Sequence, residues 1–183
     1  MMKITEVGLT LEAITSLDEF TEERYNDIAR QKMGFYLFNF TTTMGTLLAE
    51  RQDLMISDIA GRVFEQLAIL YTIQNDYMDC YGENITGKKG ADIQEGQCTW
   101  LIISALKRAT ITQKHILKNS YGSHNANDVN KVKKIYDELG IRNEYEATVS
   151  ECFQRTTTEI DNICNEDVRK FCEMLVKIFF RID

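Results

Sequence analysis

Apolar positions recur at helical spacing along nearly the whole chain. Ser16-x-x-Glu19 has the form of a capping box, and beyond it Phe20, Tyr25, Ile28, Phe35, Phe38 and Leu47 return at roughly helical intervals. From Asp53 onward a second long pattern sets Ile59, Val63, Phe64, Leu67, Leu70 and Tyr71 on one broad apolar face, with Gly82 as its stop. Asp92-x-x-Glu95 opens a further helix through "EGQCTWLIISALKRA". Thr110-x-x-Gln113 opens a short one that Gly122 ends, and Asn125-x-x-Asp128 opens one that Gly140 ends. Asn143 and Asn165 are placed to cap the last two. No stretch of any length alternates with a strand's period, no a/d heptad persists, and no internal repeat, linker or low-complexity run divides the chain. The pattern predicts an all-α packed helical bundle occupying 1–183 as one domain.

Composition narrows the partners more than the fold. The 183 residues are 44% hydrophobic and carry a net charge of -7. That balance argues against a nucleic-acid partner, which needs a basic face. No apolar run approaches the roughly 18 residues of a membrane span. The opening "MMKITEVGLTLEAITSLDEF" lacks a signal peptide's continuous apolar core, so a cytoplasmic protein is the expectation. Cys80, Cys98, Cys152, Cys164 and Cys172 include no C-x-x-C pair, and the histidines, His115 and His124, lie far from most of them. Reduced, mostly buried thiols are expected, and a His-based triad is not.

The segment "QNDYMDCYGENITGKKGADIQ", residues 74–94, carries the chemistry. Asn75, Asp79 and Glu83 stand at i, i+4 and i+8, so on a helix their oxygens share a face, with Asp76 one residue over. Hard oxygen donors of this kind suit Mg²⁺, which keeps several waters and binds through one or two carboxylates plus substrate phosphates. Lys88 and Lys89, past the glycine-broken turn, add positive charge for the same phosphates. Asp92 stands where it holds a further metal-bound water or orients Lys88.

The longer stretch "YTIQNDYMDCYGENITGKKGADIQEGQCTWL", residues 71–101, resembles the second aspartate-rich region of the isoprenyl diphosphate synthases, farnesyl diphosphate synthases in particular. That region reads roughly F-Q-x-Q-D-D-Y-x-D, then T-G-K-x-G-T-D-I-Q-D-x-K-C-S-W-L. "FTEERYNDIARQKMGFYLF" upstream and "ALKRAT", "ILKNSYG" and "KVKKIYDELG" downstream extend the likeness in order over nearly the whole chain. The resemblance implies about half of the isoprenoid synthase fold, the half with the second motif. It implies an allylic prenyl diphosphate as substrate and three Mg²⁺ per complete site, shared with the diphosphate. By the same resemblance Asn75, Asp76, Asp79 and Asp92 belong to the metal side, to which helical spacing adds Glu83. Lys32 and Lys88 match lysines that hold the allylic diphosphate, while Phe35, Tyr36, Tyr71 and Thr72 fall at the substrate pocket. Family members are homodimers, so a homodimer, or association with a complementary or full-length relative, is expected.

The departures from the family pattern fall unevenly. The motif's leading aspartate is Asn75, the threonine after Lys32 is Met33, and the F-Q pair is Tyr71-Thr72. Gln97 replaces the lysine before C-S-W, and the ending "FFRID" leaves Arg181 alone where the family has a basic C-terminus. No D-D-x-x-D occurs in these residues. Several losses thus lie on the isopentenyl diphosphate side. Asn75 with "NDYMDCYGE" also resembles the N-D-x-x-S-x-x-x-E triad of terpene synthases. Together these features predict an enzyme relative of terpene synthase type, which ionises the allylic diphosphate without a second substrate. The alternatives are a farnesyl diphosphate synthase-type prenyltransferase and a non-catalytic paralogue acting as an interaction subunit. With half a metal cage, the chain alone is not expected to ionise a diphosphate.

Overall fold

The computed structural model describes residues 16–51, 58–87 and 89–180, excepting the side chains at 35, 36, 58 and 86. Every regular element among them is helical, as the absence of strand periodicity predicts. A short 3-10 turn, Leu17–Glu19, leads into α1 (Glu22–Ala29), a π-helical segment Arg30–Phe40, α2 (Thr41–Leu48) and α3 (Asp58–Tyr81). Then follow α4 (Glu83–Thr86), α5 (Asp92–Glu95), α6 (Trp100–Arg108), α7 (Ile111–Ser120), α8 (Ala126–Glu138), α9 (Ile141–Asp161) and α10 (Glu166–Phe180). Among the described residues no helix is long and apolar enough to cross a membrane.

The chain packs as two compact units. One comprises the described parts of Ala29–Thr72 and Thr148–Asp183, and the other those of Leu9–Ile28 and Ile73–Ala147. In the first unit the apolar face read from the sequence is the core. Ala60, Val63, Phe64, Leu67 and Ala68 of α3 are buried with Phe38, and with Ile160, Ile163, Cys172 and Val176 from α9 and α10 and the segment between them. Phe38 stacks on Phe64 at 5.9 Å, and Phe171 meets the same ring edge-on. In the second unit Leu101, Ile102, Leu117, Val132, Tyr136 and Ile141 are buried. Tyr77 stacks on Tyr145 at 3.8 Å, and Trp100 meets Tyr145 edge-on.

Most helix ends follow the predicted signals. Thr110 and Gln113 exchange the reciprocal bonds of a capping box at α7. Asn125 accepts from the Asn127 N–H, and Asn165 accepts from Asp167 and Val168 at the starts of α8 and α10. At Ser16 the backbone N–H donates to the Glu19 carboxylate at 3.0 Å, although the element it opens is a single 3-10 turn.

Four expectations are corrected. The long helix expected from Phe20 to Leu47 is interrupted by π winding, whose i→i+5 bonding shifts the phase of everything beyond it. Phe20, Tyr25, Ile28 and Phe38 are buried, but Leu47 is exposed. The helix expected from Asp92 through residue 109 is two elements, because Gly96 takes the left-handed conformation (φ 66°) that ends α5, and Thr99 caps a fresh start. Asn143 lies inside α9 rather than at its cap. The helix that carries Asn75 and Asp79 ends at Tyr81, so Glu83 opens a separate one-turn helix instead of continuing the first. The predicted start at Asp53 lies outside the described residues. Cys80, Cys98, Cys152 and Cys172 are buried and in no disulfide, and Cys164 is exposed.

Candidate functional site

The motif side chains occupy the last turns of α3 and the segment that follows, within the second unit. Asn75 is exposed, Asp76 is buried and Asp79 is half-buried. Asn75 and Asp79, one turn apart, share a face as helical spacing requires.

Asp76 points into the unit, not out of it. Its Oδ2 accepts from the Tyr25 hydroxyl at 2.9 Å and from the Trp100 backbone N–H at 2.8 Å. The second bond satisfies one of the donors that α6 leaves open at its N-terminus. Burial, and then the facing Asp76 carboxylate, push the Tyr25 phenol well above its ordinary range, so Tyr25 stays a donor.

Asp79 ties the basic turn to α3. Its Oδ2 accepts from the Ala91 N–H and its Oδ1 from the Asp92 N–H, each at 3.1 Å. Gly90 lies so close to the helix that an added Cβ would stand 1.9 Å from the Asp79 carbonyl oxygen and 2.4 Å from its Oδ1. Asp92, the first residue of α5, is half-buried, and Lys89 is exposed. Behind this turn, Ile93 accepts the Gly122 N–H at 2.8 Å, while Tyr121 donates to the Gln97 carbonyl at 2.7 Å.

Glu83 is exposed at the start of α4. Lys88 and Arg181 lie outside the described residues, as do the side chains of Phe35 and Tyr36. Lys32, Tyr71 and Thr72 belong to the first unit. Lys32 is half-buried on the π-helical segment that also carries Phe35 and Tyr36. Tyr71 meets Phe179 edge-on at 5.9 Å, and the Thr72 hydroxyl donates to the Ala68 carbonyl at 2.9 Å. A separate cavity of about 570 Å³ in the first unit lies among Gly45, Phe64 and Phe171, and no motif carboxylate lines it.

Sequence reasoning placed the carboxylates but missed the groups that hold them. Tyr25 stands 51 positions from Asp76. Trp100 packs edge-on against Tyr145, and its N–H also secures the motif. Gly90 was the available signal, since a glycine at a fixed place between lysine and aspartate fits a close backbone approach.

The fit to a metal rests on donor chemistry. Among the described residues, no three His, Cys, Asp or Glu side chains converge closely enough to hold an ion. Exposed amide and half-buried carboxylate oxygens suit a hard cation that takes few protein ligands and fills its shell with water and phosphate oxygen. Mg²⁺ behaves in this way.

Solved structures and curated sequences define the class. The fold matches T. brucei farnesyl pyrophosphate synthase with a TM-score of 0.91 and 24% identity, covering 97% of this chain and 56% of that one. Its complex with risedronate matches with a TM-score of 0.90. The architecture is thus that of the isoprenoid synthases. The polyprenyl synthetase family model matches residues 2–139, and the chain belongs to that family. Farnesyl pyrophosphate synthase of Rattus norvegicus is 32% identical over 97% of this chain and 52% of its own length. The Homo sapiens enzyme is 36% identical over 75% of this chain and 34% of its own length. The chain therefore spans about half the length of the curated relatives it matches. These relatives favour the prenyltransferase alternative over the terpene synthase reading drawn from Asn75. The amide at Asn75 and the departures on the isopentenyl diphosphate side do not outweigh a likeness that runs in order through the family's domain.

Proposed function

We propose that the chain is the second-motif half of a farnesyl diphosphate synthase-type prenyltransferase, which takes an allylic prenyl diphosphate with Mg²⁺ and condenses it with isopentenyl diphosphate. The observation that carries this reading is the junction of α3 with the basic turn. Asp79 binds the backbone at Ala91 and Asp92, which fixes the lysine-bearing segment beside the motif face. Mg²⁺ would be held from Asn75 and Asp92, and when bound it supplies positive charge against the diphosphate. Asn75 contributes a neutral amide oxygen where the family has a carboxylate, so less of the cation's charge is offset by the protein. Lys89, with Lys88 by resemblance, adds point charges for phosphate oxygens. Asp76 keeps the helix end in place through Tyr25 and Trp100. We assign the chain to a homodimer, or to an association with a complementary or full-length relative.

The test is an incubation with geranyl diphosphate and Mg²⁺, with and without isopentenyl diphosphate. It is run on the chain alone and on the chain mixed with a polypeptide carrying the D-D-x-x-D half of a relative. A longer prenyl diphosphate, formed only in the mixture and only with both substrates, is expected. A volatile hydrocarbon or alcohol from geranyl diphosphate alone would restore the terpene synthase reading. If the two polypeptides neither turn over nor co-elute, the prenyltransferase assignment fails.

A further inference from the structure

The motif's Asn75, Asp76 and Asp79 are not equivalent. Asn75 is the exposed one, Asp76 is buried on Tyr25 and Trp100, and Asp79 directs both carboxylate oxygens at the backbone of residues 91 and 92. A carboxylate accepting two N–H groups makes charge-assisted bonds, stronger than neutral ones. The segment it receives is shaped for the contact. Gly87 turns the chain in the left-handed conformation (φ 68°), and Gly90 passes too close to α3 for any side chain. Between Gly87 and Asp92 the sequence is K-K-G-A, so whatever fixes Gly90, Ala91 and Asp92 also fixes where Lys89 begins.

We infer that Asp79 is a positioning residue: a latch that seats the basic turn on α3, rather than a ligand that meets metal or diphosphate itself. What the turn serves rests on the diphosphate reading above. The latch rests on geometry alone. It also accounts for which acidic position is the variable one here. The two retained aspartates hold backbone and hydroxyl groups, so their loss would strand donors. Asn75, exposed at the surface of α3, can exchange carboxylate for amide without disturbing that packing.

Two substitutions break the latch from opposite sides. Asp79→Asn leaves the sequence of the turn unchanged but removes one acceptor and sets an NH₂ against a backbone N–H. Gly90→Ala keeps the carboxylate but forces the turn off the helix. The readouts are limited trypsin cleavage after Lys88 and Lys89, and calorimetric binding of inorganic pyrophosphate with Mg²⁺. Thermal melts followed by circular dichroism establish that each variant is folded.

A latch predicts that both variants are cut about tenfold faster than wild type, because cleavage follows the population of the open turn. It also predicts that both weaken pyrophosphate binding alike. Loss of binding in Asp79→Asn with wild-type binding in Gly90→Ala would make Asp79 a ligand and overturn the inference. Wild-type cleavage rates in both folded variants would overturn it as well, whether or not pyrophosphate binds. Should either variant fail to fold, amide exchange in the wild type decides. Slow exchange at Ala91 and Asp92 is expected, and fast exchange at both ends the proposal. None of these readouts depends on turnover, so they fail separately from the prenyltransferase assignment.

Discussion

Around Phe64 the first unit buries apolar side chains, with Thr156 its one fully buried polar residue among those described. The second unit encloses a carboxylate, Asp76, at 7% exposure, together with Thr99, Ser104 and Ser120. Thr156 needs little in return: its hydroxyl lies 2.7 Å from the Cys152 carbonyl and 3.0 Å from Gln66. Asp76 needs two donors brought from distant elements. Burying a charge is costly unless such partners meet it. The difference separates two tasks within one helix. The early turns of α3 hold a core, and its last turns hold a polar frame that keeps the motif and the basic turn in register.

Five measurements break or sharpen this contrast. Phe64→Ala empties the centre of the apolar unit, where Phe38 and Phe171 lose their ring partner, and should cost about 3–5 kcal/mol by denaturant titration. Asp76→Ala leaves the buried Tyr25 hydroxyl and the Trp100 N–H without that acceptor. About 3 kcal/mol is expected, and a cost below that of an average surface substitution would remove the polar frame from the account.

Alkaline titration sets the two units side by side. Burial raises the Cys80 thiol of the second unit and the Cys172 thiol of the first from 9.0 to about 11. Each thiol therefore keeps its proton longer when folded. The stability it contributes is complete below pH 9 and is lost as pH rises through 11, by roughly 2 kcal/mol apiece at pH 11. Cys172→Ala should reduce the steepness of that decline, and an unchanged pH profile would contradict the buried-thiol origin. Asn165→Ala removes the side-chain acceptor for two N–H groups at the start of α10 and should cost about 1 kcal/mol. Lys118→Ala breaks an exposed pair with Asp18 in the second unit, and a thermal melt should register less than about 0.5 kcal/mol.

Much of the fold was legible because its signals are local. A cap such as Asn165 and a stop such as Gly140 act within a few residues, and the apolar face from Val63 to Leu70 follows from helical periodicity alone. The motif was legible for the same reason: "NDYMD" and "TGKKGADIQ" are contiguous. Reading failed where backbone geometry changes without a matching change in pattern. Nothing in "RQKMGFYLFNF" announces π winding, and the helix opened at Asp92 ignored the capacity of Gly96 to reverse the chain.

By itself, then, the sequence determined helix class, most helix ends, the family and the identity of the polar motif, since each depends on side chains a few positions apart. Only the tertiary structure decided what those carboxylates do. Asp76 and Asp79 look alike in one dimension. One is spent on a phenol and a helix start, the other on the backbone of a glycine turn, because packing brings donors from 51 and 24 positions away to the first and from 12 and 13 to the second. A buried carboxylate must take the donors that the fold presents to it, and those are set by the path of the chain rather than by its local spelling.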